Sequence, residues 1–200
     1  KRPSGSVECA PVMTHANTPH FSPGATAVSP AVTAPLVDIG INLTHDSYDS
    51  DRDAVMARAA AVGVVQMVVT GASGDGTRKA VALAHAHPGR LFATAGVHPH
   101  HATELTDDLA QEIDALARLP EAVAVGECGL DYFRNFSPPA EQRRAFELQL
   151  GMAGDAGKPL FLHQRDAHAD FLAMLRGHPR AAARAVLHCF TGGPAELEDC

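Results

Sequence analysis

One pattern constrains this chain more than any other: short apolar runs that stop at a histidine or a glutamate, each followed by a longer alanine-rich stretch. LFATAGVHPH (91–100), AVAVGECGLD (122–131), KPLFLHQRD (158–166) and RAVLHCFTGG (184–193) are four of them, and their polar ends are His98 with His100, Glu127, His163 and His188. Counting from Leu36, strands are expected near 36–41, 64–70, 91–97, 122–127, 159–163 and 185–189. Helices are expected between them, near 51–62, 74–87, 103–118, 138–156 and 167–177, and 194–200 reads as a helix start on the approach to a seventh strand. Alternating strands and helices imply βαβ units and a parallel sheet. The runs are apolar almost throughout, the pattern of strands covered on both faces.

A doubly wound sheet and a closed barrel both satisfy that pattern. A dinucleotide-binding sheet wants a glycine-rich first βα turn, and DIGINLTHDS (38–47) carries the single glycine Gly40 there. The expectation is therefore an α/β fold of the (β/α)8 TIM type, with about six βα units in this chain. Such barrels place their chemistry at the C-terminal ends of the strands, where the histidines and the glutamate fall. The helix near 138 has its own start signal: Ser137 as cap, Pro138 in the first turn, and Phe146 with Leu150 as an apolar face.

Composition narrows the partners. A formal charge of −7 and a pI near 5.9 exclude a protein that coats nucleic acid through a general basic surface, while leaving room for a local phosphate site. The cysteines Cys9, Cys128, Cys189 and Cys200 form no CxxC pair, so free thiols in a reducing compartment are expected. Residues 1–34 are rich in Pro, Ala, Thr and Ser and read as a disordered extension, with Met13 as a candidate start; residues 35–200 read as the barrel, incomplete at its C-terminus. No window approaches the ~20 apolar residues of a membrane span and no compact apolar signal run opens the chain, so a cytoplasmic protein without membrane contact is expected.

Glu127, His163 and His188 end three consecutive strands and would converge in a barrel. Converging nitrogen and oxygen donors suit Mg2+, Mn2+ or Zn2+. Singly, each histidine is as well explained by a hydrogen bond at a strand end; together with a buried carboxylate that needs a partner, the metal reading gains. His98 and His100 flank Pro99 and would support ligands, bind substrate or cap a helix. Asp131 would orient a ligand, hold Arg134 or close a turn, and Arg134 and Arg165 would reach a substrate phosphate or make surface ion pairs. Cys128 and Cys189 lack the base a thiol nucleophile needs and read as packing residues.

GVHPH (96–100), GECGLDYFRNFSPPAEQRRAFELQL (126–150), PLFLHQRDAH (159–168) and VLHCFTGG (186–193), in order and in register, resemble the TatD family of metal-dependent deoxyribonucleases. The resemblance runs from about Leu36 to the end. It implies a metallo-dependent hydrolase barrel that holds a divalent metal, Mg2+ first with Mn2+ or Zn2+ as alternatives. The implied reaction is phosphodiester hydrolysis at 3′ ends of DNA, single strands preferred. On matching positions it implies Glu127, His163 and His188 as metal ligands and His100 as a site residue; beside them, the residue reading makes His100 and Asp131 the candidate catalytic groups and His98, Arg134 and Arg165 the candidates for substrate. Two departures stand out. The HxH pair many relatives carry on the first strand is replaced by Gly40 and Asn42, and the family's last aspartate, in a TDxP-like context, is not reached before Cys200. The chain alone is therefore expected to be poorly active. A barrel hydrolase of small amides or esters and an inactive, truncated remnant are the competing readings, and a monomer is the default expectation.

Overall fold

The computed structural model describes residues 34–200; the expected N-terminal extension and Met13 lie outside the described residues. From Leu36 the chain runs β1 (Leu36–Ile41), α1 (Arg52–Ala61), β2 (Val64–Val69), α2 (Gly74–Ala86), β3 (Leu91–Ala95), α3 (Asp107–Ala117) and β4 (Ala122–Asp131). It continues through α4 (Pro139–Ala156), β5 (Leu160–Arg165), α5 (His168–Gly177), α6 (Pro179–Ala182), β6 (Ala185–Leu187) and α7 (Pro194–Asp199). All six strands form one parallel sheet in the order β1-β2-β3-β4-β5-β6. A doubly wound sheet reverses its strand order at a switch point. None occurs here, so the sheet curls in one direction as a contiguous run of TIM-barrel staves. Residues 194–200 form a helix and its end, not a strand, and belong to the sixth βα unit.

Local chemistry accounts for the helix boundaries. Ser73 caps α2 by accepting from Gly76 N–H at 3.1 Å, and Thr106 caps α3 by accepting from Leu109 N–H at 3.2 Å. α4 differs from expectation: its cap position is Pro138, with Pro139 in the first turn, and Ser137 makes no cap. The Ser137 hydroxyl instead donates to the His100 carbonyl at 3.0 Å, because the chain enters α4 beside the 3-10 turn at Pro99–Glu104. α4 ends on Gly157 in the left-handed region, φ 63°, as a C-terminal glycine commonly does.

Burial follows position in the sheet. β3, β4 and β5 are largely buried, with helices against them and Phe146 of α4 stacked on Phe171 of α5 at 5.5 Å. A second core gathers Met56, Met67, Val81 and Leu91, and a third gathers Val97, Leu105, Ile113 and Ala145. The expectation of strands covered on both faces fails on β1, β2 and β6: Leu36, Val37 and Ile39 of β1, Val65 of β2 and Val186 of β6 are exposed. Among the described residues, no helix is long and apolar enough to cross a membrane.

Candidate active site

The site is built on an irregularity in β4. The strand was expected to stop at Glu127 but runs on to Asp131, so Glu127 lies inside it. Gly126 pairs with Phe161 and Cys128 with Leu162 of β5, leaving Glu127 as an extra residue with no partner there. Such a bulge bends the strand and re-aims a side chain. The glycines on either side are required: Gly126 (φ 137°) and Gly129 (φ 140°) have positive φ, and a Cβ at either would collide with a carbonyl oxygen of β5, Phe161 or His163. The displaced Glu127 N–H donates to the Gly71 carbonyl at 2.7 Å, so the bulge is anchored to the end of β2.

Around the Glu127 carboxylate stand three imidazoles. From its Oε1, His188 Nε2 is 2.8 Å away, His163 Nδ1 3.3 Å and His98 Nε2 3.7 Å. A second carboxylate, Asp131, is 1% exposed; its Oδ2 meets His100 Nε2 at 2.8 Å and His163 Nε2 at 3.3 Å. His163 thus bridges the two carboxylates. The other Asp131 oxygen accepts from the Arg134 backbone N–H at 2.8 Å, so Asp131 closes a turn as well as facing the histidines. Five of the eight residues singled out in the sequence, Glu127, Asp131, His98, His163 and His188, meet in one chain of contacts, and His100 joins them through Asp131.

Charge and tautomer can be assigned from these partners. Burial would raise the Glu127 pKa, but the His163 and His188 imidazoles against it outweigh burial and hold the carboxyl well below the usual carboxylate range. Asp131 is likewise lowered: burial opposes ionisation, and the Arg134 N–H, His100 and His163 prevail. Burial pushes His98 down to about 3 against the attraction of Glu127, keeping it neutral. The bond to Glu127 raises His188. An ionised Asp131 only accepts, so a neutral His163 carries its proton on Nε2 and turns a lone pair at Nδ1 toward the Glu127 oxygen. Two acceptors facing each other at 3.3 Å repel unless a cation lies against both or the imidazole is protonated.

That donor set fits a divalent cation, since ligands sharing an ion with bonds of ~2.0–2.2 Å stand roughly 3 Å apart. By distance alone His98, Glu127 and His163 form such a group, their donor atoms lying within 4.8 Å of one another. His98, however, already uses its Nδ1 lone pair to accept from the His100 N–H at 3.2 Å. Its proton then sits on Nε2, which makes it a hydrogen-bond donor at the site. His188 presents Nε2 to the same Glu127 oxygen without that restriction. Gly40 lies nearby on β1: a Cβ there would meet the Phe161 ring at 3.2 Å and His188 Nδ1 at 3.8 Å. Phe161 stacks on His188 at 4.6 Å, so an aromatic ring occupies the space beside the position where a first-strand side chain would enter.

Sequence reasoning missed two glutamines beneath the site. Gln142 and Gln149 of α4 are both 0% exposed. Gln142 Oε1 accepts from Asp131 N–H at 2.8 Å while its Nε2 donates to the Asp131 carbonyl at 3.0 Å and to the Ser137 carbonyl at 2.7 Å. Gln149 treats Val97 identically, accepting from its N–H at 2.8 Å and donating to its carbonyl at 3.0 Å. Each amide acts as a peptide group of a neighbouring strand would, fixing the backbone at Asp131 and just before His98. The signal was present: 142, 146, 149, 150 and 153 share one helix face, and polar residues on a buried face must have partners.

The arginines lie at the rim. Arg165 pairs in register with Asp131 and holds its guanidinium 4.2 Å from the centre of the Phe133 ring; among the described residues neither Arg134 nor Arg165 has a carboxylate within ion-pair distance. Phe133 and Phe136, also overlooked in the sequence, are 59% and 70% exposed. Cys128 is buried, its thiol pushed up by that burial, while Cys189 is exposed; neither is arranged as a nucleophile.

A family model described as TatD related DNase matches residues 37–200. The 3′-5′ ssDNA/RNA exonuclease TatD of Musicola paradisiaca (strain Ech703) is 50% identical over 165 residues, covering 82% of this chain and 62% of the relative. Among solved structures, a hydrolase TatD family protein from Entamoeba histolytica superposes with a TM-score of 0.76 at 27% identity, covering 82% of this chain and 61% of that one. A TatD homologue from Escherichia coli K12 gives 0.75 at 28% identity, with 82% and 63% covered. The chain thus spans about three fifths of the length of the relatives it matches.

Proposed function

The chain belongs to the TatD related DNase family, and from that premise we propose that its strand-end cluster serves a metal-dependent phosphodiester hydrolase trimming single-stranded DNA from its 3′ end. The observation that carries this reading is the convergence of Glu127, His163 and His188, with His163 shared between the Glu127 and Asp131 carboxylates, at the C-terminal ends of neighbouring parallel strands. The M. paradisiaca relative's name supplies the substrate class, single-stranded DNA or RNA, and the 3′ to 5′ direction.

Glu127, His163 Nδ1 and His188 Nε2 are the proposed ligands of a divalent cation, which would polarise a phosphoryl oxygen and lower the pKa of bound water. Mg2+ is the ion expected in the reaction, while two imidazoles make binding tighter for Zn2+ and Mn2+ in that order. Asp131 holds His163 and His100 in the tautomer with the proton on Nε2, which leaves His163 Nδ1 basic and His100 oriented at the rim. His98, held neutral by burial, offers Nε2–H as a fixed donor. Arg165 and Arg134 would receive phosphates of the incoming strand. Residues 1–34 are proposed as an extension outside the catalytic domain and 35–200 as part of the barrel.

The test is shortening of 5′-labelled single-stranded DNA and RNA by the full-length protein with Mg2+, Mn2+ or Zn2+, with EDTA and Glu127→Gln as controls. Stepwise shortening abolished by both controls supports the proposal. Intact oligonucleotide under every ion, with turnover of a small ester or amide, would replace it by the small-molecule reading.

A further inference from the structure

We propose that Phe136, with Phe133 on the same loop, is a stacking platform for an unpaired nucleobase of the strand entering the site; this rests on the nuclease reading above and specifies how its substrate is held. Phe136 stands edge-on to His100, ring centres 4.7 Å apart, and His100 is bound to Asp131. One side of the ring is therefore fixed three contacts from the proposed ligand His163. The rest faces solvent: the residue is 70% exposed, in a segment whose flanking Ser137 is fully buried and tied to the His100 carbonyl. The segment is thus pinned at its base while its aromatic ring is turned outward.

Phe133 repeats the arrangement at the other end of the same loop. It is 59% exposed and carries the Arg165 guanidinium at 4.2 Å. That contact occupies a face of the guanidinium and leaves its edge N–H groups directed elsewhere. With no carboxylate in range among the described residues, Arg165 is a local positive charge on a chain of net charge −7. Exposed aromatics interleaved with unneutralised arginines beside a hydrolytic cluster match what single-stranded nucleic acid presents: bases with open faces, joined by phosphates. A duplex offers no such face except at its ends, since its bases stack on one another. The platform accordingly favours single strands and is tolerant of base identity, because every base has a π-face.

The decisive measurement is binding in EDTA, where hydrolysis is blocked, of a single-stranded oligonucleotide carrying 2-aminopurine at its 3′ end, against the same strand with an abasic 3′ residue. The wild-type protein is expected to quench the fluorophore and to bind the base-bearing strand about tenfold more tightly. Phe136→Leu, which keeps an apolar side chain of similar size without a ring, should bring the two affinities together, and Phe136→Trp should preserve the difference. Equal wild-type affinities, or a difference that survives Phe136→Leu in a variant with unchanged thermal melting, would overturn the platform. If the wild type discriminates the terminal base yet the full-length protein shortens no oligonucleotide with any ion, the nuclease reading falls and the platform stands. If it shortens both strands and is indifferent to the base, the platform alone falls.

Discussion

At the scale of single residues, the β4 bulge depends on positions that tolerate no side chain. Gly129→Ala forces a Cβ into the His163 carbonyl at a φ of 140°, and a loss of about 1–3 kcal/mol or more is expected, read as a lower denaturation midpoint with unchanged m-value. The glutamines fail differently. Gln142→Leu keeps the volume near Asp131 but strands three buried backbone groups, the Asp131 N–H and carbonyl and the Ser137 carbonyl. Leaving buried polar groups without partners costs about 1–3 kcal/mol each, so this variant should lose more stability than a Leu150→Ala change would lead one to guess from burial alone, and chemical denaturation of the two decides it. Thiol reactivity gives an independent check of burial: alkylation of the native protein should modify Cys189 and Cys200 and spare Cys128, whose thiol burial holds protonated, with peptide mapping as the readout.

At the scale of elements, helix caps supply separable contributions. Ser73→Ala and Thr106→Ala each remove one acceptor for a first-turn N–H, and each should cost about 1 kcal/mol, read as a lower denaturation midpoint. These caps could have been named from the sequence by their residue type before a helical run, and the element order was legible from periodicity. Strand ends were not. Glu127 read as a terminus because glycine and cysteine follow it, whereas the strand continues through a bulge that only the β5 register exposes. Ser137 read as a cap because the local sequence fits one, but the backbone of His100, some 37 positions away, takes its hydroxyl. The histidines and the glutamate were found as donors from their place at the ends of apolar runs. Which nitrogen of each is available was not, because that depends on partners as remote as Asp131 for His163 and on a neighbouring N–H for His98.

At the scale of the whole molecule, the proposed cation joins side chains from β4, β5 and β6, strands otherwise held by backbone ladders and by the cores behind them. β6 contributes three residues to the sheet and stands at its edge, so His188 is the least restrained of the three proposed ligands. A ligand that binds the folded form alone stabilises it by RT ln(1 + [L]/Kd), about 2.7 kcal/mol at a concentration of 100 Kd. The melting temperature should therefore rise with the logarithm of Zn2+ or Mn2+ concentration and return to the metal-free value in EDTA. Glu127→Gln removes the charge that His163 and His188 share, so it should abolish the metal-dependent rise. It also takes away a carboxylate whose pKa is lowered on folding and which therefore stabilises the fold while ionised, so the metal-free variant should melt below the metal-free wild type near neutral pH, and the gap should close as the pH falls and Glu127 is protonated. A metal response that persists in Glu127→Gln would place the ion elsewhere and remove Glu127 from the ligand set. A metal-free variant that melts no lower than the metal-free wild type at neutral pH would instead show that the ionised carboxylate does not stabilise the fold through its histidines.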